Sequence, residues 1–110
     1  MNDESQELLE DILTEAQSIK TFIAGYTLEA YMADKKTRFA VERCFEIIAE
    51  ALARISKTDS DLLALIRDYR SIKSFRNLIV HAYDYLDDRI VWGIIQNDLD
   101  NLIEDVRKIK

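Results

Sequence analysis

The sequence predicts an all-α protein, an antiparallel bundle of four to five helices formed by one domain over residues 1–110. Three observations predict it. Apolar residues recur three or four apart along the chain, and nowhere alternate with the period of two that a strand requires. Two glycines and no proline leave few breakers, which suits long helices and not a turn-rich sheet. Polar stretches rich in capping residues separate the amphipathic ones. A chain of 110 residues, 48% hydrophobic and 33% charged, is long enough for one core and too apolar for disorder.

The first helix is marked by Leu8, Leu9, Ile12, Ala16, Ile19, Phe22, Ile23 and Tyr26, a single stripe expected to be buried. Asn2 or Asp3 caps its start, and the acids of the first turn complement the helix dipole. Gly25 relaxes its end, and a short segment around Leu28–Met32 bridges to the next helix. Asp34 reads as the N-cap of a second long helix, with Val41, Cys44, Phe45, Ile48, Ala51, Leu52 and Ile55 on one face. Residues Ser56–Ser60 read as a loop.

A third helical stretch is predicted from Ser60 to Ala82, with Leu62, Ile66, Tyr69, Ile72, Phe75, Ile79 and Ala82 inward and one break near Asp68–Ser71. After a polar turn at Asp84–Asp88, Asp87 caps a last helix with Val91, Ile94, Ile95, Leu99, Leu102, Val106 and Ile109 inward. Trp92 is expected in the core or as an interface anchor.

Composition narrows the function classes. No apolar run approaches the ~20 residues of a membrane span, and the acidic N-terminus is no signal peptide, so the cytoplasm is the expected location. One cysteine, Cys44, excludes an intramolecular disulfide and a cysteine metal cluster. One histidine, His81, excludes a histidine metal cluster, and no metal site is predicted. Glu42, Glu46 and Glu50 at four-residue spacing read as a solvated face and not as a carboxylate metal stripe.

A net charge of −6 argues against a nucleic-acid footprint over the whole surface. The charge is uneven, however. Residues 1–18 carry −6, whereas residues 65–83 carry +3 from Arg67, Arg70, Lys73 and Arg76 against Asp68.

That basic stretch also holds the candidate chemistry, Arg76-Asn77-Leu78-Ile79-Val80-His81-Ala82-Tyr83. An imidazole moves a proton near neutral pH, and a guanidinium braces charge that builds on a phosphoryl group. Asn77 precedes His81 by one helical turn and so shares its face, where the amide could orient the ring. Arg76 and His81 lie about 140° apart around an ideal helix, so one straight helix splays them. A break near His81, or a second copy across a dimer interface, would bring them together. The bland alternatives are a histidine cap at a helix end and arginines paired with neighbouring acids on a solvated face. By the same default Tyr69, Tyr83 and Tyr85 pack, and Cys44 is a small core residue.

As an ordered set these residues resemble the HepT-like branch of the HEPN superfamily. Arg76-Asn77-x-x-x-His81-x-Tyr83 matches the R-x4-H-x-Y signature. Asp34-x-x-Thr37-x-x-Ala40-Val41-Glu42-Arg43, Glu46-Ile47-Ile48-Ala49-Glu50-Ala51 and Asp87-x-x-x-Val91-Trp92 accompany it in order. Ala49 stands where the family usually has glycine. The loop proline before the third helix and the early tryptophan of the helix after it are absent.

The resemblance implies a homodimeric, metal-independent endoribonuclease that needs no cofactor. It would be the toxin of a type VII-like toxin–antitoxin pair, with both signatures facing one cleft and two basic segments forming a local positive channel. Arg76 and His81 would be the catalytic pair, Asn77 would support their geometry, and Arg67, Arg70 and Lys73 would contact RNA. An MntA-type nucleotidyltransferase antitoxin would transfer AMP to Tyr83. The competing implication is a non-catalytic HEPN partner that binds nucleotide or substrate for a minimal nucleotidyltransferase.

Overall fold

Asn2 starts the first helix, its side-chain oxygen accepting the main-chain N–H of Ser5 at 2.7 Å. Helix α1 then runs Asp3–Phe22 in a computed structural model that describes residues 2–67, 69 and 87–110. Four further helices are described: α2 (Leu28–Ala33), α3 (Lys35–Thr58), α4 (Asp88–Asn97) and α5 (Leu99–Ile109). A 3₁₀ helix covers Ser60–Leu65. No strand occurs among the described residues, and the all-α class stands.

Side-chain pairs fix the directions. Ser5 donates to Asp59 at 3.2 Å, and Glu15 stands beside Cys44, so α1 and α3 run antiparallel. Lys20 pairs with Asp100 and Glu10 with Lys110, so α5 is antiparallel to α1 as well. One cluster fills the space between these three helices. It contains Leu9, Ile12, Ala16 and Ile19 from α1, Val41, Phe45, Ile48, Leu52 and Ile55 from α3, and Leu99, Leu102 and Val106 from α5. The short helices α2 and α4 close one end, where the rings of Tyr31 and Trp92 meet at 5.4 Å and Arg38 faces Asp88 at 3.7 Å.

The structure amends several expectations. Phe22 stays 42% exposed because α1 ends there, and Gly25 at φ +80 turns the chain in a left-handed conformation that favours glycine. Residues Ser56–Thr58 belong to α3 and not to a loop. The Ser56 hydroxyl donates to the Ala53 carbonyl at 2.6 Å and Thr58 to that of Arg54 at 3.1 Å, folding back on the helix they extend.

The stretch after Asp59 is a 3₁₀ helix that ends at Leu65, and the chain turns extended at Ile66, earlier than the predicted break. Beyond Arg67 the predicted third helix, Tyr69 excepted, lies outside the described residues. The single last helix is two, divided by a turn at Asp98, although the bonds from Asp98 N–H to Ile94 and from Leu102 N–H to Asp98 bridge the division. Among the described residues no helix is long and apolar enough to cross a membrane.

Candidate functional site

The signature residues Arg76, Asn77, His81 and Tyr83, with the basic residues Arg70 and Lys73, lie outside the described residues. The described chain brackets them. On the near side stand Arg67 and Tyr69; on the far side stands Asp87 at the head of α4. The seventh predicted site residue, Arg67, is therefore the one whose surroundings can be given.

Arg67 is gripped by Asp105 of α5. Its main-chain N–H donates to one carboxylate oxygen at 2.9 Å, Nε donates to both at 3.1 and 3.3 Å, and Nη2 donates to the other at 3.0 Å. Glu104 adds a longer ion pair at 3.5 Å. The hydrogen bonds from the Arg67 side chain, then the one from its main chain, hold the Asp105 carboxyl below the usual carboxylate range. The same carboxylate raises the Arg67 guanidinium above its ordinary value. The Arg67 side chain remains 51% exposed, so it presents a charged edge to solvent while anchored from behind. Two residues on, Tyr69 packs partly buried against the core.

Asp105 was not singled out from the sequence, although a signal existed. It falls between Leu102 and Val106 on the apolar face of α5, where a solvated acid has no place.

At the far side Asp87 caps α4 as predicted, accepting the Arg89 N–H at 2.9 Å. Asp88 faces Arg38, and Tyr31 and Glu42 stand beside them. Burial first, then Asp88, push the Glu42 carboxyl up, with Arg38 offsetting in part. The Tyr31 hydroxyl and the Arg38 Nε are buried without a hydrogen-bond partner among the described residues. Of the acidic series on α3, Glu46 pairs with Arg43 and Glu50 with Arg54. Cys44 is buried, and burial pushes its thiol up to about 12, so it stays protonated and inert. Trp92 packs against the core through Tyr31.

The Asp34 motif is resolved in full. Asp34 accepts the Thr37 N–H at 3.1 Å, the Thr37 hydroxyl at 2.7 Å and the Tyr26 hydroxyl at 2.6 Å. It thereby caps α3 and ties it to the chain leaving α1. The Tyr26 bond, then those from Thr37, lower its carboxyl to about 2.

The family model described as "Ribonuclease HepT-like" matches residues 12–109. The chain is 32% identical over 105 residues to the protein named "Probable ribonuclease HepT" of Thermococcus cleftensis, covering 96% of this chain and 94% of that one. It is 28% identical over 101 residues to a candidate RNase of Methanocaldococcus jannaschii, covering 92% and 83%. A candidate RNase of Caldanaerobacter subterraneus subsp. tengcongensis is 27% identical over 101 residues, covering 92% and 89%. No solved structure matches the chain significantly.

Proposed function

This chain belongs to the Ribonuclease HepT-like family of the HEPN superfamily, and we propose on that footing that it is a metal-independent endoribonuclease toxin acting as a homodimer. The observation that carries the reading is the match over residues 12–109, within which Arg76, Asn77, His81 and Tyr83 keep the R-x4-H-x-Y spacing. Two similar proteins being named as RNases supports RNA as the substrate.

In the proposed reaction the RNA 2′-hydroxyl attacks the adjacent phosphorus. The new 2′-O–P bond forms as the P–O5′ bond breaks, leaving a 2′,3′-cyclic phosphate and a 5′-hydroxyl end. His81 moves the proton between these oxygens, and Arg76 stabilises the charge on the phosphorane. Asn77 orients the imidazole from one turn away. A pair of protomers supplies both groups to one groove, which removes the 140° splay that a single straight helix imposes. Arg67, Arg70 and Lys73 extend the positive surface along the RNA backbone, Arg67 through the edge that Asp105 leaves exposed.

Regulation falls to Tyr83. A nucleotidyltransferase antitoxin of the MntA type would transfer AMP from ATP to its phenol, releasing pyrophosphate. The added phosphodiester places negative charge beside the phosphate site and repels RNA.

The test is growth arrest on expression and cleavage of RNA by purified protein in the presence of EDTA. Both should disappear in His81→Ala and Arg76→Ala proteins that remain dimeric. Undiminished toxicity and cleavage in both would remove Arg76 and His81 from the reaction, whereas a wild type that neither arrests growth nor cleaves RNA would favour the binding partner. Co-expression with an MntA-type nucleotidyltransferase should add about 329 Da per adenylyl group at Tyr83; addition at Tyr85 or Tyr69 would refute that assignment.

A further inference from the structure

A carboxylate on the apolar face of α5 is costly unless it is paired, and Asp105 is 6% exposed among Leu102, Ile103 and Val106. Stability alone does not explain it. Replacing both partners of a buried ion pair by apolar side chains is commonly neutral or stabilising, whereas removing one partner strands the other. The difference lies in what an acid does here and a leucine cannot. Asp105 accepts a main-chain N–H, that of Arg67, from a chain 38 residues away in sequence.

The place of that grip is specific. The 3₁₀ helix has just ended at Leu65, Ile66 is extended at ψ 114 and buried, and no helical ladder supplies the next partner. The carboxylate takes the N–H there and, through three side-chain bonds, holds the guanidinium in one orientation. Arg67 stands nine positions before Arg76 in the chain. The main chain at Arg67 is therefore held by a side chain of the last helix.

We propose that Asp105 is a positioning residue for the nuclease reaction, acting through the main chain at Arg67. This rests on the ribonuclease reading given above. Catalysis by proton transfer and charge stabilisation is steep in distance, and a displacement of about 1 Å originating far from the chemistry costs on the order of 100-fold in rate. A grip at the start of the catalytic stretch is placed to prevent one.

The experiment compares full-length wild type, Asp105→Leu and Asp105→Asn on a fluorophore-quenched RNA oligonucleotide of mixed sequence, with thermal unfolding of each. Asp105→Leu leaves the Arg67 N–H unpaired and should melt a few degrees below wild type, yet stay folded at the assay temperature because leucine suits the surrounding face. Its kcat should fall at least about 10-fold with KM within about twofold. Asp105→Asn keeps an oxygen for the Arg67 N–H and should retain kcat within about threefold.

A merely structural acid predicts activity that follows the folded fraction alone, with kcat per folded molecule unchanged. A folded Asp105→Leu protein with unimpaired kcat overturns the positioning role. So does a rise in KM alone, or equal loss in the leucine and asparagine variants. Wild type inert toward RNA overturns the ribonuclease reading and this one with it, whereas a cleaving wild type isolates the question of Asp105.

Discussion

Helix α3 is packed in two unlike ways along its length. Against α1 it is sealed by hydrocarbon: Ile12, Ala16 and Ile19 meet a face of Phe45, Ile48, Leu52 and Ile55, all fully buried. At its first turns, where α2 and α4 close the bundle, it meets Tyr31, Asp88 and Trp92 across a polar cluster of Arg38 and Glu42. Polar groups at the ends and rim of the seam are paired, Ser5 with Asp59, Arg43 with Glu46, Arg54 with Glu50. In the corner, the Tyr31 hydroxyl and Arg38 Nε are buried with no hydrogen-bond partner among the described residues. The difference locates the stability. Apolar burial contributes per unit area, whereas buried donors left unmade subtract from it.

The seam should therefore give the largest effect. Ile48 is fully buried, midway between the level of Leu8 with Ala51 and that of Glu15 with Cys44. Ile48→Ala should cost about 2–5 kcal/mol of unfolding free energy by denaturant titration. A cost under about 1 kcal/mol would mean that the seam is loosely filled and the comparison wrong.

Asp34 sharpens it from the corner's edge. Its carboxyl is lowered to about 2 by Tyr26 and Thr37, against about 3.9 in an unfolded chain. A group lowered on folding stabilises above its unfolded value, and that contribution fades as pH falls from about 4 toward about 2. Glu42, pushed up on folding, acts in the opposite sense, so the difference between proteins isolates Asp34. Asp34→Asn should melt a few degrees below wild type at pH 6, with the gap closing by about pH 2. A gap that does not change with pH would deny the ionised cap.

Much of this was legible in the sequence, and the reasons are local. Asp34 and Asp87 announced their caps because an acid immediately before an amphipathic run satisfies orphan N–H groups within three residues. The apolar stripes of α1 and α3 named most of the core because spacing of three and four is itself the buried face. The failures arose where hydrogen bonding chose between allowed states. Ser56 and Thr58 looked like loop formers, but their hydroxyls bond back to α3. Ile66 continued a helical stripe, yet the chain breaks there. Asp105, the acid that grips the next residue, sits 38 positions later, a distance no local pattern spans. For the candidate site, the signature spacing was readable as a motif, and the anchor behind Arg67 was not.

The smallest expected effect tests the corner directly. The Tyr31 ring is wholly buried against Trp92, while its hydroxyl meets no acceptor among the described residues; burial first, then Glu42 and Asp88, hold the phenol protonated. Tyr31→Phe keeps the ring and removes only the unpaired oxygen. A hydroxyl buried without a partner carries its desolvation cost uncompensated, so deleting it should raise stability by up to about 1 kcal/mol. The same change in a hydroxyl that was hydrogen-bonded would lower stability by a comparable amount. The sign therefore discriminates where the magnitude cannot. Denaturant titration of the pair gives it, with an unchanged m-value showing that the native packing is intact. A loss of more than about 1 kcal/mol would mean that the corner is as well satisfied as the seam, and that the contrast along α3 does not hold.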